Sequence, residues 1–184
     1  MRAGDTAAER GAPIAPSPGV RIHVTSGTGE AQTELAAFDR ALMDAGVASH
    51  NLIVLTSMIP PCAEVVRARM PQTDATWGQL LYVVLAQHRE TRVGAEAWAG
   101  IGWVQDEETG RGMFVEHEGG SRHTVEAQIE ASLHSMAGAR SVDFGPVHMV
   151  TAGIICEEHP VCAVAVAAYG EPHPWSSPAG SHPA

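Results

Sequence analysis

The sequence of 184 residues has only three cysteines, Cys62, Cys156 and Cys162. An odd count at irregular spacing offers no disulfide framework and fits a reducing compartment. No apolar run reaches about 18 residues, the length a membrane-spanning helix needs. The first twenty residues, MRAGDTAAERGAPIAPSPGV, have no apolar stretch of the kind a secretory signal requires. Basic residues are scarce, 11 against 21 acidic, for a net charge of −10. Such a surface repels nucleic acid and anionic membranes and mildly attracts cationic small molecules. There is also no basic patch with interleaved aromatics, so a nucleic-acid partner is not expected. These absences together describe a cytoplasmic protein that binds neither nucleic acid nor membrane.

What is present is a well-packing body. Hydrophobic residues make up 45% of the chain and charged ones only 17%. The length suits one domain with a sizeable core. Residues 1–19 and 171–184 are rich in Pro, Gly, Ala and Ser and read as disordered tails. The folded domain is expected over 20–170, and it contains no internal repeat.

Residues 20–24 read as a first strand, followed by a glycine-rich turn, Ser26-Gly27-Thr28-Gly29. A helix is predicted over 33–45, with Leu35, Phe38, Leu42 and Ala45 on one stripe and Gly46 as its stop. Residues 51–58 are nearly all apolar and read as one buried strand, ended by Pro60-Pro61. Further strands are expected at 80–86, 94–104, 112–117, 147–156 and 161–169. The 157–160 segment is expected to be a hairpin loop. Val125, Ile129, Leu133 and Met136 mark a second amphipathic helix. Many strands and two helices without strict alternation point to an α+β sandwich with helices outside.

The hydroxyl pair Thr56-Ser57 lies inside an apolar run just before the Pro-Pro stop. Two such hydroxyls in a strand are also ordinary as satisfied core groups. The wider pattern favours a different reading. The stretch from Gly29 through Thr33, Leu35, Phe38, Asp39, Leu42 and Gly46, then Asn51 and Thr56-Ser57-Met58-Ile59-Pro60-Pro61, resembles the pyruvoyl-dependent arginine decarboxylases. The likeness continues through Gly100-Ile101-Gly102, through Gly112–Glu116, and into Ala163–Tyr169.

That resemblance implies an αββα sandwich and a chain that cuts itself between Thr56 and Ser57. Ser57 Oγ attacks the Thr56 carbonyl, β-elimination splits the chain, and loss of ammonia leaves a pyruvoyl group at position 57. This covalent group is the implied cofactor, with no metal and no pyridoxal phosphate. The implied activity is decarboxylation of L-arginine to agmatine through a Schiff base. The implied assembly is a homotrimer of cleaved protomers with sites between subunits.

Site residues carry over one at a time. Asn51 matches the family's asparagine upstream of the cut. Strand alternation would aim it the same way as Ser57, to donate to the oxyanion on Thr56; a strand-start cap is its plain alternative. Glu116 matches the family's glutamate and is the candidate proton donor. It shares a strand face with Phe114, and an apolar face would keep its acid neutral. A solvent-facing glutamate is the alternative. Asp39 falls beside Leu35 and Leu42 on the helical wheel, where a carboxylate calls for a partner. A substrate guanidinium would supply a bidentate one, and the resemblance gives it that role.

Two positions depart from the family pattern. Thr56 stands where a serine is expected, which keeps the hydroxyl but restricts χ1. Cys62 stands where a glycine often follows the prolines, so the turn there is expected to differ. Residues 26–30 suggest an anion loop but lack the full phosphate-binding spacings. Cys156, His159 and Cys162 fit no closed zinc set. His117 points opposite to Glu116 and receives no catalytic role. Two rival functions remain open: the same chemistry on another amino acid, and a non-catalytic homologue acting as a regulatory subunit.

Overall fold

The computed structural model describes residues 19–70, 74–140, 142 and 144–175. Most of both expected tails lies outside these residues. The C-terminal boundary does move: His173 exchanges backbone hydrogen bonds with Leu80, and Trp175 Nε1 donates to the Gly78 carbonyl. Residues 171–175 therefore dock on the body rather than begin a tail.

The described residues form two sheets between two helices. The five-stranded sheet contains β1 (Arg21–Glu30), β2 (Asn51–Val54), β4 (Glu64–Arg67), β5 (Leu80–Glu90) and β9 (Val161–Tyr169), in the order β2-β5-β9-β1-β4. The four-stranded sheet contains β3 (Met58–Ile59), β6 (Glu96–Gln105), β7 (Gly112–Gly119) and β8 (His148–Ile155), in the order β3-β7-β6-β8. Helix α1 (Glu34–Ala45) covers the outer face of the first sheet and α2 (Arg122–Gly138) that of the second. The layers are α, β, β, α, as expected.

Strand β9 shows why this arrangement needs its sequence. All nine of its residues are buried, which a continuous apolar run permits when both sheet faces are covered. Ala163, Ala165 and Ala167 face the second sheet, where Ala97, Ala99, Ile101, Trp103 and Phe114 complete the core. Val164 and Val166 face α1.

Four sequence expectations are corrected here. Ser26–Gly29 is strand, not turn, because Gly27 and Gly29 make room for the helix. A Cβ on Gly27 would lie 2.4 Å from the Ala41 carbonyl oxygen, and one on Gly29 2.4 Å from that of Ala37. The same contact rotates α1. Its buried residues are Ala37, Ala41, Leu42 and Ala45, while Leu35 is 69% exposed. Small side chains face the sheet because the sheet is glycine there, so an apolar stripe ranked by side-chain size misjudges the helix. The ends agree with expectation: Thr33 Oγ1 accepts from Ala36 N–H, and Gly46 takes φ 83°.

The 157–160 segment is not a hairpin. Strands β8 and β9 belong to different sheets, so this segment carries the chain between layers. The single strand expected over 51–58 is likewise two, β2 in one sheet and β3 in the other.

Candidate active site

The break between β2 and β3 makes the site. β2 pairs in parallel with β5, from Asn51 opposite Leu80 to Val54 opposite Val83. β3 pairs antiparallel with β7, Met58 opposite Met113. Leu55, Thr56 and Ser57 lie between and bring the chain from one sheet to the other. Ser57 absorbs the bend at φ 67°. A non-glycine residue in the left-handed region carries strain of about 1–3 kcal/mol, held only where the surroundings fix it.

The surroundings do fix it. The Leu55 N–H donates to the Val83 carbonyl at 2.8 Å, and the Phe114 N–H donates to the Ser57 carbonyl at 2.8 Å. Ser57 is buried, and its Oγ donates to the Glu116 carboxylate at 2.9 Å to Oε2 and 3.1 Å to Oε1. Glu116 comes from β7, two residues beyond Phe114 on the same strand face. Phe114 is fully buried between the sheets, while Glu116 is itself exposed. The apolar enclosure expected around its acid is therefore absent within one chain, because β7 runs out of the core at this point.

Around Ser57 and Glu116 lies an open pocket of about 500 Å³, lined by Leu55, Thr56, Phe114, Val115, His117, Ser132 and Met136 as well. Thr56 is exposed at its mouth. His117 Nε2 and Ser132 Oγ lie 2.8 Å apart in a hydrogen bond across to α2. His117 thus lines the pocket although it sits on the opposite strand face from Glu116, a closeness that the edge position of this sheet corner allows and alternation alone does not show.

The other two candidates are elsewhere. Asn51 is exposed at the start of β2, where its Nδ2 donates to the Gly78 carbonyl at 2.7 Å. It does not line the pocket, and its alignment with Ser57 by alternation fails because the strand ends at Val54. Asp39 is exposed on α1, so the buried carboxylate expected inside an apolar stripe does not occur. The rotation of α1 that buries Ala37 and Ala41 turns Leu35, Asp39 and Met43 outward together, and Met43 is 61% exposed.

One further residue belongs here and went unread in the sequence. Tyr169, at the end of β9, donates its hydroxyl to the Met58 carbonyl at 3.0 Å. Burial, and then the Glu116 carboxylate, push its phenol well above the ordinary tyrosine value. The signal was available: it is the one hydroxyl on a strand otherwise made of Val, Ala and Cys.

Cys62 also takes a left-handed φ, 60°, in the turn that leaves β3, the conformation that a glycine adopts without strain. It is exposed, whereas Cys156 and Cys162 are buried, and all three are free thiols. Among the described residues no group of three or more His, Cys, Asp or Glu is arranged to hold a metal ion. No helix among them is long and apolar enough to cross a membrane. The 184 residues include no lysine, so no side-chain amine is present to anchor pyridoxal phosphate. A carbonyl made from Ser57 fits the residues that are there.

Comparison with known proteins places the chain among relatives of one family. The sequence model of the family "Pyruvoyl-dependent arginine decarboxylase (PvlArgDC)" matches residues 21–174. The pyruvoyl-dependent arginine decarboxylase of Methanopyrus kandleri is 36% identical over 130 residues, 70% of this chain and 81% of that protein. That of Halobacterium salinarum is 31% identical over 157 residues, 84% of this chain and 96% of its own. Pyruvoyl-dependent arginine decarboxylase 2 of Archaeoglobus fulgidus is 31% identical over 99 residues, 53% of this chain and 63% of that protein. The matched stretch thus spans less than two thirds of the Archaeoglobus protein.

Proposed function

The chain belongs to the pyruvoyl-dependent arginine decarboxylase family, and from that premise we propose that it cuts itself at Thr56–Ser57 and then converts L-arginine to agmatine and CO₂. One observation carries the proposal: a strained, buried serine hydroxyl lies against a carboxylate at the point where the chain changes sheets.

In the cut, Ser57 Oγ bonds to the Thr56 carbonyl carbon while the Thr56–Ser57 C–N bond breaks and the serine nitrogen takes up the proton. Loss of the Cα proton of residue 57 and rupture of its Cβ–Oγ bond free the Thr56 carboxylate and leave dehydroalanine. Water then replaces the nitrogen, which departs as ammonia. The keto group made there would condense with the substrate amine, releasing water, and would supply the electron sink for loss of CO₂ from the substrate α-carbon. Glu116, already within hydrogen-bond reach of residue 57, returns a proton to that carbon. The Phe114 N–H polarises the carbonyl of residue 57, on which negative charge builds.

Asn51 is the proposed donor to the Thr56 oxyanion and Asp39 the proposed partner of the substrate guanidinium. Neither lines the Ser57 pocket of its own chain, so both roles call for a neighbouring subunit. Exposed apolar side chains flank both features, Leu35 and Met43 beside Asp39, Val54 and Met58 beside the cut. Exposed apolar side chains at these positions suit burial against another subunit, which fits the homotrimer that the resemblance implies. A cytoplasmic location is part of the same reading and accords with three free thiols.

Intact mass spectrometry of the purified protein tests the cut. Two fragments are expected, 1–56 and 57–184, the second lighter by one ammonia than a serine-initiated chain. A single unbroken chain defeats the reading. Release of labelled CO₂ from arginine, lysine, ornithine and histidine in parallel tests the substrate, and equilibrium sedimentation tests the trimer.

A further inference from the structure

The Tyr169 hydroxyl reaches the carbonyl of Met58, the second residue beyond the proposed cut. Strand β3 is only two residues long and lies at a sheet edge, paired with β7 alone. So short a strand at a chain terminus tends to fray. Two contacts oppose that. The Phe114 N–H donates to the Ser57 carbonyl at 2.8 Å, and the Tyr169 hydroxyl donates to the next carbonyl, Met58, at 3.0 Å. The Tyr169 ring is 9% exposed and stands edge-on to Phe114, with centroids 6.1 Å apart. Phe114 in turn sits two residues before Glu116 on one face of β7. Tyr169 therefore contacts both halves of the site: the carbonyl beyond the reactive residue, and the ring beneath the carboxylate strand. Because its phenol is pushed up, it remains a donor at any ordinary working pH.

We propose that Tyr169 is a positioning residue whose hydroxyl keeps the new N-terminal dipeptide, residues 57 and 58, docked on β7 after the chain is cut, and so holds residue 57 within reach of Glu116. This rests on the self-processing reading above and deepens it.

Tyr169→Phe removes only the hydroxyl. The variant is expected to yield the same two fragments as the wild type, with the same keto-group content by hydrazine titration. Its KM for arginine should stay within about threefold while kcat falls about tenfold, the pattern of a lost alignment rather than lost binding. An unchanged kcat overturns the proposal. A second measurement stands apart from turnover and from the fold of that variant. The chain has two tyrosines, Tyr82 and Tyr169, so labelling with 3-fluorotyrosine gives two ¹⁹F signals, assigned through Tyr82→Phe. The Tyr169 signal should keep its hydrogen-bonded position in cut wild type as in uncut Ser57→Ala, away from that of a free phenol, while the Tyr82 signal stays put. A Tyr169 signal that moves to the position of a solvent-exposed phenol on cutting also overturns it. If the wild type itself is never cut, the parent reading falls and this one with it. If the wild type is cut and active but Tyr169→Phe matches it, Tyr169 alone loses its role.

Discussion

The chain passes from the five-stranded to the four-stranded sheet twice, between Val54 and Met58 and again between Glu90 and Glu96. Each passage contains a residue with left-handed φ and has beside it a carboxylate that accepts hydrogen bonds from the passage. In the second passage the left-handed residue is Gly94, at φ 83°, where a glycine carries no strain. Its carboxylate, the buried Glu90, accepts from the N–H groups of Thr91 and Arg92 and from the Arg92 guanidinium. Those contacts hold the Glu90 carboxyl down at about 2, chiefly through Arg92. In the first passage the left-handed residue is Ser57, and the carboxylate, Glu116, accepts from its hydroxyl instead of from backbone. One bend is built from parts that relax it. The other leaves a strained hydroxyl beside a carboxylate, next to the peptide bond it is proposed to attack.

Four substitutions test that contrast, beginning with the greatest expected effect. Ser57→Ala removes the nucleophile and should give one uncut chain with no decarboxylation, read by mass and CO₂ release; two fragments from it would end the mechanism. Glu116→Gln should still be cut but decarboxylate at least about 100-fold more slowly, in the range of a lost general acid; near-normal turnover would remove Glu116 from its role. Gly94→Ala puts a Cβ into open space at positive φ, so only backbone strain changes. A stability loss of about 1–2 kcal/mol is expected in urea unfolding, with cutting and turnover unchanged. An altered cut would show that the two passages are coupled.

Glu90→Gln should act on stability and its pH dependence rather than on the chemistry. The folded carboxyl lies below its ordinary value of 4.5, so its stabilisation is complete above about 4.5 and fades as pH falls toward 2. The variant should flatten the acid limb of the stability curve below pH 4.5 and leave neutral activity untouched. An acid limb identical to wild type would mean that Glu90 does not lock its passage.

How far the sequence could be read depends on what each feature rests upon. Strands β5 to β9 and both helices announce themselves through runs and periods that survive folding, and the layer order follows from two amphipathic helices among many strands. The pairing of Phe114 with Glu116 on one face was legible because alternation holds along β7. Alternation failed for Asn51 because the chain changes sheets before it reaches Ser57, and nothing in Asn51–Met58 marks that change ahead of the prolines. Gly27 and Gly29 looked like a turn since their use, a helix lying against bare backbone, involves residues on α1. Asp39 was misjudged for the same reason, its helix having been turned by those glycines. Tyr169 was missed because its partner is a backbone carbonyl 111 positions away.

The order of the five-stranded sheet has a consequence for the molecule once the proposed cut is made. Strand β1 lies between β9 and β4, both of which fall on the far side of the cut, and β2 is zipped to β5. The 1–56 fragment is thus dovetailed into the larger one, gripped on both flanks of its longest strand. Breaking one peptide bond releases neither piece, and such an interleaved pair is made most directly by folding the whole chain first and cutting it afterwards.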